Sequence, residues 1–138
     1  NWQGRDKPPY VSVNVSAQQL RNPGFFDQMV SALDTTHLDP EGLVLELTES
    51  TLMEEPDRVA LLLERIRLLG VRLAIDDFGT GFSSLSYLSR MKVDILKIDR
   101  SFIHNLNQDP TDTALVNAII DIARALKLEV VAEGVEEQ

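Results

Sequence analysis

Mostly apolar runs recur along this chain at intervals of roughly thirty residues, the length of one strand–helix–strand unit. They occupy residues 11–16, 43–48, 71–76, 93–99 and 128–133. The first alternates apolar and polar residues, as a strand does. Between the runs, apolar residues return at helical spacing. Phe26, Met29, Val30 and Leu33 form one such face, Val59, Leu62, Leu63, Ile66 and Leu69 the next, and Leu115, Ile119, Ile122 and Leu126 the last. A shorter helix is expected over residues 83–90. Asn22-Pro23 supplies a cap and a first-turn proline, and Pro56 and Asp109-Pro110 open the later helices. Asp39-Pro40-Glu41-Gly42 is a turn, and Gly70 ends a helix. Residues 1–10 read as a loop, because Pro8-Pro9 cannot sit inside a helix, with Trp2 expected to pack.

Strand and helix alternate throughout, which implies a parallel sheet with right-handed crossovers. Five such units could make a small open sheet or part of an eight-stranded barrel, which needs about 250 residues. No helical segment follows the fifth run, which favours the barrel. The expected fold is α/β: a partial TIM-type (β/α) barrel, five βα units around a parallel sheet.

Composition narrows the function. The chain has 138 residues, 43% of them hydrophobic, which fits one soluble globular domain. It has no cysteine, so disulfides and thiolate zinc sites are excluded. No apolar run approaches the ~20 residues needed to span a bilayer, and no leader is visible. A cytoplasmic location is expected, with any membrane anchor lying elsewhere in the parent. The chain starts at Asn1 rather than Met, so a piece of a longer protein is expected. The net charge of -9 argues against an open groove for a nucleic-acid polymer. It leaves room for a phosphate ligand if metal ions supply the positive charge.

Each run carries one polar residue near its C-terminal end: Asn14, Glu46, Asp76 with Asp77 beside it, Lys97 and Glu133. Strand side chains alternate faces. The apolar neighbours must face the covering helices, so these residues point the other way, inward in a barrel. Parallel strands place all their C-terminal ends on one rim, where barrel active sites lie. A single polar residue at a strand end is ordinarily solvated or caps the next helix. Five at equivalent positions call for another explanation. Burying unpaired carboxylates costs about several kcal/mol each. Lys97 offsets one, and a divalent metal held by hard oxygen ligands accounts for the surplus.

Other features are weaker. Asp99-Arg100 reads as an ion pair or a helix start. Glu49 and Glu136 each follow a proposed ligand by three residues, where solvent exposure is the ordinary reading. Gly79 and Gly81, next to the aspartates, suggest a loop bending close to a ligand rather than a turn alone. His37 and His104 have no partner pattern, and Glu54-Glu55 suits a helix start.

Taken together, the chain resembles the EAL family of cyclic di-GMP phosphodiesterases. The matching motifs are Val13-Asn14-Val15-Ser16, Leu45-Glu46-Leu47-Thr48-Glu49-Ser50, Asp76-Asp77-Phe78-Gly79-Thr80-Gly81-Phe82-Ser83-Ser84-Leu85, Leu96-Lys97-Ile98-Asp99-Arg100-Ser101-Phe102 and Val131-Ala132-Glu133-Gly134-Val135-Glu136. The resemblance implies a TIM-type barrel with two divalent ions, Mg²⁺ or Mn²⁺, at its rim. It implies Asn14, Glu46, Asp76, Asp77 and Glu133 as metal ligands, and Lys97 acting with Asp76 and Asp77 in the attack of water. Glu49 and Glu136 would steady the loop of Phe78, Gly79, Thr80, Gly81, Phe82 and Ser83, which shapes a homodimer contact in the family. The implied reaction is hydrolysis of cyclic di-GMP to linear pGpG in bacterial signalling, often beside sensory or GGDEF-type domains.

The departures are the Glu-Ala-Leu triplet, expected in a strand before residue 1, and a last strand with a glutamine expected beyond Gln138. Lys92 also stands where a proline is usual. The isolated piece is therefore expected to be inactive and to associate through its open edges. Three readings compete: a receptor that binds cyclic di-GMP without cutting it, a barrel enzyme using Lys97 as a Schiff-base nucleophile, and a purely structural partner domain.

Overall fold

The computed structural model describes residues 9–81, 85–106 and 108–134. In chain order these form β1 (Val11–Asn14), α1 (Ala17–Arg21), α2 (Phe25–Thr36), a 3₁₀ turn (Pro40–Gly42), β2 (Leu43–Thr48), α3 (Glu49–Met53) and α4 (Pro56–Leu68). Then come β3 (Arg72–Phe78), α5 (Leu85–Met91), β4 (Ile95–Ile98), α6 (Arg100–His104), α7 (Pro110–Leu126) and β5 (Glu129–Ala132).

The five strands lie side by side in sequence order, every neighbouring pair parallel. The order never reverses, so the sheet has no switch point of the doubly wound kind. Successive right-handed crossovers then leave the helices on one face, the arrangement of an arc of barrel wall. The expectation of five βα units of a (β/α) barrel is met.

Strand parity divides the core in two. Leu45 and Leu47 of β2, Leu73 and Ile75 of β3, and Leu96 and Ile98 of β4 join the large cluster beneath the helices with Leu63, Ile66 and Ile119. Burying each such side chain contributes about 1.5–3 kcal/mol. The alternate residues Val44, Ala74 and Ile95 pack with Val131 on the opposite, inner face. Glu46, Asp76 and Lys97 follow these by two residues and share that inner face.

Several expected boundaries move. Asn22-Pro23 does not start a helix. Asn22 closes α1, and its side-chain carbonyl accepts from the Gly24 N–H at 2.9 Å in the turn before α2. The helix α1 was not expected; Ser16 and Gln19 cap it reciprocally, each side chain accepting from the other's backbone N–H. The strand expected over 93–99 is Ile95–Ile98; just before it, Asp94 bonds Leu73 twice, its N–H donating to the Leu73 carbonyl and its carboxylate accepting from the Leu73 N–H, both at 2.9 Å. The helix expected over 83–90 is Leu85–Met91, with residues 83 and 84 outside the described set. Trp2 and residues 1–8 also lie outside it.

The largest change is in β3, which runs past residue 76 to Phe78. Its pairing with β4 shifts between Ile75 and Phe78, and Asp77 inside that irregularity has φ of +54°. Aspartate is among the few residues that enter the left-handed region readily.

Candidate active site

The inner face ends at the strand C-termini in a cluster centred on Lys97. Its Nζ lies 2.7 Å from Glu46 Oε2, 2.5 Å from Glu133 Oε1 and 3.5 Å from Asp76 Oδ1. The Lys97 side chain is 12% exposed and that of Glu46 is 9% exposed, so these charges meet largely out of water. Glu46 and Lys97 belong to β2 and β4, with β3 between them. The β3 residue facing Glu46 in register is Ala74, which is fully buried and pairs in turn with Ile95 of β4. The second Glu46 oxygen, Oε1, accepts a hydrogen bond from the Ser12 hydroxyl. Asn14 is the register partner of Glu46 on β1.

Adjacent aspartates on a regular strand would face opposite ways. The left-handed turn at Asp77 re-aims its carboxylate, as strand irregularities near sites often do. Oxygens of Asp76, Asp77 and Glu133 then all lie within 4.8 Å of one another. Burial pushes the Asp77 carboxyl above its ordinary value. The charge of Asp76, a hydrogen bond to Asp99 and the charges of Asp99 and Glu133 push it further the same way. Asp99 moves down, held by the Ser101 hydroxyl, the Ser101 N–H and the bond from Asp77, against a smaller effect of burial. Of this pair, Asp77 is therefore the weaker acid and Asp99 the stronger. For Lys97, burial acts to lower its basicity, but bonds to Glu133 and Glu46 and the charges of Asp76 and Glu46 outweigh it. The ammonium is held protonated, the opposite of what a Schiff-base nucleophile needs.

For Glu49, the ordinary reading of a solvent-exposed loop residue does not hold. Glu49 opens α3 directly after β2 and is only 6% exposed. Its Oε1 accepts from the Gly79 N–H at 2.9 Å, tying α3 to the loop after β3. Its Oε2 is buried, has no hydrogen-bond partner among the described residues, and lies 3.0 Å from where a Cβ on Gly81 would stand. Gly79 has φ of +99°, and a Cβ there would come within 3.2 Å of Ile119 and 3.3 Å of Phe102. Thr80 anchors the same loop, its hydroxyl donating to the Asp77 carbonyl at 2.7 Å. Phe78 is buried in the main cluster. Phe82, Ser83 and Glu136 lie outside the described residues.

Asn14, Glu46, Asp76, Asp77, Lys97 and Glu133 therefore gather at one end of the sheet, as the strand pattern implied. Asp99-Arg100 is a helix start: Asp99 caps α6 by accepting from the Ser101 N–H at 2.8 Å. Glu54 and Glu55 pair with Arg21 and Arg58 at 2.7 and 3.3 Å, and Glu55 makes no side-chain cap bond to α4. His37 ends α2 and His104 ends α6, outside the acidic group. Sequence reasoning passed over Ser12 and Asp99 as site residues. Each stands two positions from a proposed site residue, Asn14 or Lys97, and that shared parity was the available signal.

Among the described residues, no helix is long and apolar enough to cross a membrane. The family model described as EAL domain matches residues 1–138. The bifunctional diguanylate cyclase/cyclic di-GMP phosphodiesterase MucR of Pseudomonas aeruginosa is 48% identical over 126 residues, covering 91% of this chain and 18% of MucR. A solved MucR phosphodiesterase–c-di-GMP complex superposes with a TM-score of 0.89 at 46% identity, over 94% of this chain and 52% of that one. A manganese/cyclic-di-GMP complex of Klebsiella pneumoniae BlrP1 gives a TM-score of 0.83 at 30% identity, over 92% of this chain and 33% of that one. The chain spans well under two thirds of these proteins.

Proposed function

Because the chain belongs to the EAL domain family, we propose that residues 1–138 are part of an incomplete EAL-type barrel domain whose first and last strands lie outside them. The complete domain would hydrolyse cyclic di-GMP to linear pGpG. One observation carries the reading: Glu46, Asp76 and Glu133 crowd around a single ammonium at the strand C-termini, with an Asp77 oxygen within 4.8 Å of oxygens of Asp76 and Glu133. Like charges this close are unfavourable without further positive charge. In this structure Lys97 and the raised Asp77 carboxyl supply part of the relief.

The donor set, carboxylates with one amide, suits hard divalent cations. Asn14, Glu46, Asp76, Asp77 and Glu133 would hold two of them, Mg²⁺ or Mn²⁺. Bound there, they would supply Lewis acidity toward the phosphodiester and make water a stronger nucleophile. Lys97 is fixed by Glu46 and Glu133, and its remaining donor capacity suits water or a phosphoryl oxygen gaining charge. Asp77 would bind a cation in its ionised form, and Asp99 is its hydrogen-bond partner. Glu49 holds the loop over residues 78–81 through Gly79, and Glu136 would assist it. In the balanced reaction, the water oxygen bonds to phosphorus and one P–O3′ bond breaks. The water proton ends on the released 3′ hydroxyl.

The reading extends to a bacterial signalling role in the cytoplasm, a homodimer contact at the loop, and accompanying domains such as those in bifunctional MucR. The test is incubation of the full-length protein with cyclic di-GMP and Mg²⁺, with and without chelator, following pGpG by chromatography. Turnover that is abolished by chelation and by Lys97→Ala supports it. Turnover indifferent to chelation overturns it, and tight binding without pGpG assigns a receptor instead.

A further inference from the structure

Ser12 shares the inner face of β1 with Asn14, two residues nearer the strand start. Its hydroxyl donates to Glu46 Oε1, while Lys97 Nζ donates to Glu46 Oε2 at 2.7 Å from the other side. The two donors come from β1 and β4 and grip the carboxylate at opposite ends. Glu46 is buried, so a carboxylate oxygen left without a partner there is unfavourable.

We propose that Ser12 is a positioning residue for Glu46, fixing the carboxylate by Oε1 so that Oε2 faces the acidic cluster and is presented to a divalent cation. This rests on the metal-dependent reading above. Lys97 and a cation compete for Oε2, because both are positive and both need that oxygen. Ser12 does not compete, since it is neutral and occupies Oε1. When a cation takes Oε2, the Ser12 bond is the one that keeps the Glu46 side chain aimed. Hydrogen bonds behind a ligand of this sort commonly change metal affinity by roughly 10- to 100-fold. Ser12 is small, and its change to alanine removes a single oxygen.

The test is Mn²⁺ binding to the full-length protein without substrate, read from the loss of the free-ion electron paramagnetic resonance signal. Wild type is compared with Ser12→Ala, Ser12→Thr and Ser12→Val. The inference requires affinity roughly tenfold weaker in the alanine and valine variants and restored in threonine, which keeps the hydroxyl and suits a strand. The thermal midpoints without metal should stay close together. Wild type that binds Mn²⁺ with the alanine variant within about twofold overturns the positioning role alone. Wild type that binds no Mn²⁺ overturns the metal-dependent reading, and this inference with it.

Discussion

Lys97 and Glu46 meet across an intervening strand, Nζ to Oε2 at 2.7 Å. Ala74 of that strand, fully buried, pairs with Glu46 on one side and with Ile95, two residues before Lys97, on the other.

Enlarging Ala74 should break that link. Ala74→Leu is expected to lower stability by about 1–3 kcal/mol through overpacking. It should also weaken divalent-cation binding by separating Lys97 from Glu46. Urea denaturation and Mn²⁺ titration of the full-length protein read the two effects. A variant as stable and as avid as wild type would show that the link does not depend on a small side chain at residue 74.

Removing the ammonium should leave its carboxylates opposed. Lys97→Met is expected to destabilise the metal-free protein by about 3 kcal/mol, the scale for losing one partner of a buried pair. Mg²⁺ should restore more stability to this variant than it adds to wild type, because the cation replaces the missing charge. Turnover should still fall by roughly 100-fold or more with Mg²⁺ saturating. Thermal melts with and without Mg²⁺, beside single-turnover rates, separate the two roles.

Acidity should act on Asp77 in a definite direction. Its folded carboxyl titrates above the ordinary 3.8, so its neutral form stabilises the metal-free fold at low pH. That contribution is complete below 3.8 and is lost as pH rises through the folded value. Cation binding needs the ionised form, so Mn²⁺ affinity should climb through the same window and level off above it. Asp77→Asn should flatten the part of the slope due to this group. Lys97 is also raised, so its stabilisation is full below 10.5 and is lost as pH climbs above that. Alkaline unfolding of wild type should therefore be steeper than that of Lys97→Met.

The loop after β3 should tolerate no side chain at residue 79. Gly79→Ala combines φ of +99° with close approach to Ile119 and Phe102. Destabilisation of about 1–3 kcal/mol is expected from backbone strain and crowding. Gly81→Ala, whose Cβ would meet Glu49 Oε2 at 3.0 Å, should act mainly on the loop. It should raise KM for cyclic di-GMP with a smaller change in melting temperature. Equal effects of both substitutions on stability and kinetics would contradict this division.

The strand and helix order, the parallel sheet and the inward parity of Glu46, Asp76 and Lys97 were legible in the sequence. Each depends on a local period, two for a strand and 3.6 for a helix, which residue types record directly. Caps were less legible. Asn22-Pro23 carries the signature of a helix start but serves a turn between α1 and α2, where the Gly24 N–H needed an acceptor. The burial of Glu49 was not readable from any local pattern, since its partner Gly79 stands thirty residues away; only the family resemblance linked it to that loop.

The sequence by itself determined which face of each strand carries the acids, because alternation is built into the extended backbone. Only the tertiary structure decided that Asp77 turns back beside Asp76, that Lys97 reaches Glu46 across β3, and that Ser12 bonds Glu46. These follow from strand register and a local irregularity in β3, which depend on what the neighbouring strands offer rather than on any short stretch of chain.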